Sequence, residues 1–177
     1  MFAILDFGFE LMKIAVLAAV YAALVYILKF IWGEIDKSSR LRRLKFRSIY
    51  FSIAGLLLVF SFTCYGDHGL GDEANIPLPH WETMDSGDGN AYFNPNGKLY
   101  DQISVDSFLV RNDHLCMASD TLIFDYQLKT SELKKFATSK LYDAYAMAHH
   151  LPIKKEFRKF WPQYNDYWSG YRFWMLP

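Results

Sequence analysis

Two long apolar runs near the N-terminus, separated by a short basic segment, constrain this chain more than any other feature. The first run, Ile14–Leu28, is bracketed by Lys13 and Lys29 and can be extended to Leu11–Trp32. The second run is Ser48–Gly66. A bilayer core about 30 Å thick needs about 20 helical residues at roughly 1.5 Å each. Because both runs are long enough, the sequence predicts a hairpin of two transmembrane helices.

The charges are segregated along the chain, although its formal net charge is zero. Lysines and arginines cluster between the two apolar runs, and such loops stay in the cytoplasm. We therefore expect a membrane protein whose N-terminus and soluble domain lie outside the cytoplasm. The same cations can also bind anionic lipid headgroups, at about 1 kcal/mol each. The candidate lipid-binding residues are Arg40, Arg42, Arg43, Lys45 and Arg47.

The sequence divides into a membrane part, residues 1–66, and a soluble α+β domain, residues 67–177. Alternation of apolar and polar side chains in the soluble part predicts an antiparallel meander of four to six strands. One long strand is expected over Lys98–Val110, with a bulge near Ser107 where the alternation slips. Strands come first and helices last, which is the order typical of α+β domains.

Two helices are predicted near the C-terminus. The first is capped by Thr138 or Ser139 and ends near His150, before a proline. The second covers Lys154–Trp161, and Pro162 either kinks it or begins a further turn.

Aromatic side chains are concentrated in the last part of the chain. Their helical spacing favours a stripe that covers the sheet. A membrane-interface belt or subunit contact is a second interpretation, and base stacking with single-stranded nucleic acid is a third. The candidate interaction surface consists of Trp161, Tyr164, Trp168, Tyr171 and Trp174.

Small residues form a strip on the first apolar run and a shorter one on the second. In lipid, small side chains let helices approach closely. The strip therefore predicts close packing, either within the hairpin or between subunits of a homo-oligomer that surrounds a pore. The residues are Ala15, Ala18, Ala19, Ala22 and Ala23 in the first run, and Ser52 and Gly55 in the second.

Neither a metal site nor a cofactor is predicted, and no catalytic motif indicates an enzyme. His114 and Cys116 share one face of a predicted strand, which permits chelation, but the other half of a zinc site is missing. If the chain were an enzyme with an unfamiliar site, Asp67, His68 and His80 would be its candidate residues.

The closing segment, EFRKFWPQYNDYWSGYRFWMLP, and the stretch Asp72–Pro79 resemble parts of small two-span membrane proteins of Bacteroidota-type bacteria, a group without an assigned activity. In architecture the chain resembles two-span effectors of antiphage systems, in which a membrane hairpin carries a small sensor domain. Together the two resemblances imply an oligomeric channel or membrane-disrupting protein of a bacterial inner membrane. Its domain would respond to a regulatory protein or to a nucleotide or oligonucleotide ligand.

We therefore expect an oligomeric membrane effector, in contact with lipid, whose small domain controls membrane permeabilisation. The architectural resemblance implies that this activity serves antiphage defence. The alternative is a membrane-anchored binding protein without channel activity, such as an immunity or envelope-assembly factor.

Overall fold

The computed structural model describes residues 2–35, 45–63, 65–66, 73–95 and 102–177. The chain divides into two compact units. We call them the helical unit, Met1–Asp67 together with Gly170–Pro177, and the β-rich unit, His68–Ser169.

The first helix, α1, spans Phe2–Ile35 and contains a 25-residue apolar segment, Phe7–Ile31. Such a segment is about 38 Å long, enough to cross a bilayer core of about 30 Å. Only 17% of the most apolar 18-residue stretch of this segment is buried. A core helix of a globular protein would be mostly covered. Among the described residues, α1 is the one helix that is long and apolar enough to cross a membrane.

The second helix, α2, spans Phe46–Ser61 and packs against α1. Its 16 residues give a length of about 24 Å, which is short for a membrane span. It begins before the predicted run and ends well before Gly66. The second crossing of the membrane therefore stays a prediction.

Helix α2 ends at two residues with hydroxyl side chains, which are followed by a glycine. The Ser61 hydroxyl donates to the carbonyl of Leu58 at 2.9 Å, and the Thr63 hydroxyl donates to the carbonyl of Phe60 at 2.7 Å. The Thr63 amide also donates to the Phe60 carbonyl, at 2.9 Å, so the hydroxyl bonds reinforce the last turn of the helix. Gly66 then folds back so closely that a Cβ there would lie 2.3 Å from the Phe60 oxygen.

The β-rich unit contains two four-stranded antiparallel meanders, ordered β1-β2-β3-β4 and β5-β6-β7-β8. The strands are β1 Ala74–Pro77, β2 Thr83–Gly87, β3 Asn90–Phe93, β4 Ile103–Val105, β5 Ser107–Arg111, β6 His114–Ala118, β7 Ile123–Gln127 and β8 Glu132–Phe136.

The prediction of a single meander with one long strand over Lys98–Val110 was wrong. The chain leaves the first sheet after β4 and enters the second at β5, with Asp106 between them. The amide of Asp106 donates to the carbonyl of Ala118 at 2.8 Å, in the second sheet. The slip in alternation near Ser107 therefore marks a change of sheet and not a bulge.

The two sheets share one apolar core, and the second sheet is buried on both faces. Phe93 of β3 meets Tyr126 of β7 edge to face, with ring centroids 4.9 Å apart. On the opposite face, Cys116 and Ile123 pack under helix α3, Ser139–Ala148. The predicted cap of α3 is confirmed, because the Thr138 side chain accepts the Leu141 amide at 3.4 Å.

The predicted helix over Lys154–Trp161 was wrong. One 3-10 turn, Lys154–Glu156, is followed by extended backbone at Arg158, which exchanges two hydrogen bonds with Phe108 at 2.9 and 3.1 Å. Helix α4 then spans Phe160–Trp168. Proline lacks an amide hydrogen, so Pro162 is tolerated in the first turn of α4 but would disrupt a helix interior. A short helix, α5, spans Tyr171–Met175.

Candidate functional site

The small-residue strip of α1 divides into two faces. Ala18 and Ala22 are fully buried, on the same face as the buried side chains of Ile14 and Leu17. Tyr26 of α1 also meets Phe46 of α2 edge to face, with centroids 5.9 Å apart. Two of the predicted alanines therefore lie on the buried face of the helical unit.

The other small residues lie on exposed surface. They are Ala15, Ala19 and Ala23 of α1 and Ser52 and Gly55 of α2. A Cβ added at Gly55 would meet no atom within 4 Å. Ala15, Ala19 and Ala23 are four residues apart and therefore share a second face of α1, which is open to a further helix.

Of the predicted lipid-binding cations, the structure describes Lys45 and Arg47. Lys45 is exposed directly before α2, and the Arg47 guanidinium lies 5.5 Å from the centroid of the Phe51 ring. Arg40, Arg42 and Arg43 lie outside the described residues, so lipid binding by the basic segment stays a prediction.

Part of the aromatic surface covers the β-rich core. The Trp168 side chain is 7% exposed, and its indole nitrogen donates to the carbonyl of Asn75 on β1 at 2.8 Å. Tyr164 is partly buried against the same core, beside the buried Phe160. Trp161 faces solvent. Helix α4 thus places its aromatic side chains largely against the sheets.

The remaining aromatic residues belong to the helical unit. Tyr171 and Trp174 lie on α5 and are strongly exposed. Helix α5 contacts α1 at two points. The Tyr21 hydroxyl donates to the Met175 carbonyl at 2.6 Å, and the Lys13 ammonium lies 5.2 Å from the centroid of the Phe173 ring.

A polar cluster under α3 was missed by sequence reasoning. The Asp125 side chain, only 2% exposed, lies on β7. One carboxylate oxygen is 2.8 Å from His114 Nδ1 and 3.9 Å from the Cys116 sulfur, and the other accepts a bond from the Tyr145 hydroxyl at 3.0 Å. Lys134 donates to the Tyr145 oxygen at 3.3 Å.

Strand register brings the cluster together. Cys116 and Lys134 are the cross-strand partners of Asp125 on its two neighbouring strands. His114 is two residues from Cys116 and therefore on the same face. Tyr145 reaches the carboxylate from α3. An acidic residue at an inward position of an otherwise apolar strand was the available sequence signal.

The protonation states of the cluster do not favour nucleophilic chemistry. Burial raises the pKa of Cys116 from 9.0 to about 12, so the thiol stays protonated at neutral pH. Burial also raises the pKa of Tyr145, and the hydrogen bond to Tyr145 raises the pKa of Lys134. Both side chains keep their protons. The cluster ties α3 to the sheet by a hydrogen-bonded buried carboxylate.

The other predicted reactive residues do not form a site in the described structure. Asp67 and His68 lie outside the described residues. His80 Nε2 is 3.6 Å from the Asp113 carboxylate, and both side chains are largely exposed. Within the part of the chain that the structure describes, no group of three or more histidine, cysteine, aspartate or glutamate side chains is arranged to hold a metal ion.

An exposed tryptophan lies on a strained turn between β1 and β2. His80 and Trp81 both have positive φ, 62° and 67°, which is uncommon for bulky residues. The amide of Leu78 donates to the carbonyl of Glu82 at 2.8 Å across the turn. The Trp81 side chain is 70% exposed.

Comparison of the chain with protein-family models, curated proteins and solved structures finds no match in any of the three.

Proposed function

We propose that this protein is an integral membrane effector that assembles into a homo-oligomer through its helical unit, and that its β-rich unit receives the controlling ligand or partner. The uncovered apolar surface of α1 carries the proposal. In water a continuous surface of this kind would promote aggregation, whereas lipid is its natural solvent. Exposed apolar side chains on α1 include Leu11, Val16, Val20, Leu24, Leu28 and Ile31.

Assembly is supported by the second small-residue face. Ala15, Ala19 and Ala23 are exposed, while Ala18 and Ala22 are buried in the helical unit. Small exposed side chains in lipid favour close approach of another helix. One copy of two helices cannot enclose an aqueous path, but several copies can. Permeabilisation and a role in antiphage defence are the activities that the architectural resemblance implies.

Orientation follows from the basic segment. Its lysines and arginines favour retention in the cytoplasm, which would place the β-rich unit outside it in a bacterial inner membrane.

Dye release from liposomes tests assembly and permeabilisation together. We expect the reconstituted protein to release a small dye, and Ala19→Leu to reduce both the release and the oligomer mass in detergent. Val20→Leu enlarges a neighbouring exposed side chain outside the strip and serves as the matched control. If Ala19→Leu behaves like the unmodified protein, or if the protein is monomeric and releases no dye, the proposal is wrong.

The exposed, strained Trp81 turn favours a second candidate function, a membrane-anchored binding protein without channel activity. Exposed tryptophans often dominate binding energies at protein interfaces. If this function is correct, the protein binds a partner in a fixed stoichiometry. The unmodified protein should capture that partner from membranes, and the Trp81→Ala variant should not. This function also predicts that overexpression leaves the membrane potential intact, whereas the first proposal predicts growth arrest with loss of potential.

A further inference from the structure

We propose that α5 is a membrane-interface anchor that lies beside residues 13–21 of α1, with its exposed aromatic rings at the level of the lipid headgroups. The β-rich unit would then be tethered to the bilayer at both of its ends, by α2 before it and by α5 after it. This inference rests on the proposed insertion of α1 in the membrane.

The contacts of α5 fix its level along α1. The Phe173 ring lies against the Lys13 ammonium, and the Met175 carbonyl accepts the Tyr21 hydroxyl. Side chains on a helix tilt toward the N-terminal end of that helix. The Lys13 ammonium and the Tyr21 hydroxyl therefore lie closer to the N-terminal end of α1 than the Cα atoms of the same residues do. Helix α5 therefore lies beside residues 13–21 of α1, with its Phe173 ring at the Lys13 end and its Met175 carbonyl at the Tyr21 end.

Lys13 marks the edge of the hydrocarbon region. The residues that follow it, 14–31, contain only one charged side chain, Lys29, near their far end. Eighteen helical residues are about 27 Å long, close to a bilayer core of about 30 Å. A lysine at such a boundary extends its ammonium to the headgroups. The ring that lies beside that ammonium is therefore at headgroup level as well.

The composition and exposure of α5 fit the lipid interface. Tyr171, Phe173 and Trp174 are 64%, 57% and 74% exposed. Tyrosine and tryptophan rings are enriched at this depth because one end is apolar and the other can hydrogen bond to water or headgroups. Arg172, between them in sequence, supplies a cation that suits lipid phosphates.

The backbone separates α5 from the β-rich unit at Gly170. Helix α4 is fixed to β1 by the Trp168 indole, and the boundary between the two compact units falls two residues later. Gly170 has φ 66° and ψ −132°, a conformation essentially restricted to glycine. The chain therefore changes direction there, and α5 packs with the helical unit.

The anchor has a consequence for topology. If α5 lies at the level of Lys13, the C-terminus and the N-terminal end of α1 are on the same side of the membrane. The chain must then cross the bilayer an even number of times. Helix α2, the shorter apolar helix in the described structure, would supply the return crossing.

Depth-dependent fluorescence quenching tests the anchor. The chain has five tryptophans, Trp32, Trp81, Trp161, Trp168 and Trp174. A variant that keeps only Trp174, with phenylalanine at the other four positions, is reconstituted in phosphatidylcholine vesicles carrying brominated lipids. We expect blue-shifted emission and stronger quenching by bromines near the headgroups than by bromines at the bilayer centre. A variant that keeps only the buried Trp168 is the control and should remain unquenched.

Two outcomes would overturn the anchor. Water-like emission that bromination does not change would place Trp174 in solvent. Blue-shifted emission without quenching by lipid bromines would place it in a contact with another protein surface. The protein is also washed with alkaline carbonate, because release from the vesicles would contradict the membrane insertion of α1. Retention combined with an unquenched Trp174 would contradict the anchor alone.

If the tryptophan replacements prevent folding, a spin label at position 174 tests the anchor without them. Trp174→Cys is labelled in a Cys64→Ser, Cys116→Ala background, and accessibility to oxygen and to a polar nickel complex is compared. We expect more accessibility to oxygen and less to nickel at position 174 than at the exposed position of Lys129→Cys, labelled in the same background. Equal ratios at the two positions would contradict the anchor.

Discussion

At the scale of single residues, Asp125 shows how the β-rich unit accommodates a buried acidic side chain. Its two carboxylate oxygens are held by different donors, His114 from β6 and Tyr145 from α3. A buried carboxylate without such partners would be costly, whereas a fully bonded one fixes the elements that supply its donors. The residue therefore holds α3 in a defined position on the second sheet.

Replacing Asp125 by alanine should strongly destabilise the protein. The substitution leaves the His114 nitrogen and the Tyr145 hydroxyl without their acceptor, at a cost of about 3 kcal/mol in the free energy of unfolding. Chemical unfolding of the detergent-solubilised chain, followed by near-ultraviolet circular dichroism, measures the change. Glu132→Ala is the control because its carboxylate lies 3.8 Å from Lys134 on exposed surface. Equal effects of the two substitutions would show that the cluster does not stabilise the fold.

The Cys116 thiol should be unreactive in the folded protein. It is fully buried, and burial raises its pKa to about 12. Its folded pKa is above its unfolded one, so deprotonation favours unfolding, and stability declines as the pH rises above about 9 toward 12. In a Cys64→Ser background, a thiol reagent at about pH 8 should react slowly with native protein and rapidly in denaturant. Complete labelling of native protein within seconds would contradict the burial.

At the scale of elements, local hydrogen bonding sets the ends of the helices. Helix α2 stops where the Ser61 and Thr63 hydroxyls bond to carbonyls of its last turn and Gly66 turns back onto Phe60. Helix α3 begins at the Thr138 cap. Helix α4 begins just before Pro162, because the extended backbone at Arg158 is paired with β5. In each case a side chain or a long-range backbone pair determines the boundary.

Alanine substitution at two glycines of the helical unit should have opposite effects on thermal stability. A Cβ at Gly66 would lie 2.3 Å from a backbone oxygen, so Gly66→Ala must displace the end of α2. Gly55 has open space around its Cβ position, and alanine is preferred over glycine in a helix interior by about 1 kcal/mol. Thermal unfolding in detergent should show a lower midpoint for Gly66→Ala and an unchanged or higher one for Gly55→Ala. A lower midpoint for both would contradict the open environment of Gly55.

At the scale of the whole molecule, the chain combines a surface suited to lipid with a unit of two sheets around one core. Helix α1 leaves most of its apolar surface uncovered. The β-rich unit buries the apolar side chains of its strands in two clusters, one between the sheets and one under α3. The two units therefore suit different solvents, which is the physical basis for proposing a membrane protein with an attached binding module.

Cysteine labelling in intact cells should determine the side on which the β-rich unit lies. Lys129→Cys, in the exposed turn between β7 and β8, should react with a membrane-impermeant thiol reagent before permeabilisation. Arg42→Cys, in the basic segment, should react only afterwards, because lysines and arginines favour retention of such a segment in the cytoplasm. Both are made in a Cys64→Ser, Cys116→Ala background. The reverse pattern would place the β-rich unit in the cytoplasm.

The sequence by itself determined the features that depend on nearby residues. The apolar run around Ile14–Leu28 specifies α1, because hydrophobicity and length are local properties. Thr138 specifies the start of α3 through a bond three residues away, and alternation specifies strands such as β6. The small-residue strip was visible too, although its pattern did not reveal which alanines would be buried.

Only the tertiary structure decided the features that join distant residues. Asp106 separates two sheets because its amide bonds to the far end of β6, and Asp125 obtains its partners from a neighbouring strand and from α3. The aromatic tail is divided at Gly170, with Trp168 buried in the β-rich unit and Trp174 exposed in the helical unit. Hydrogen bonds and packing between residues far apart in sequence decide these outcomes, and residue spacing contains no information about such partners.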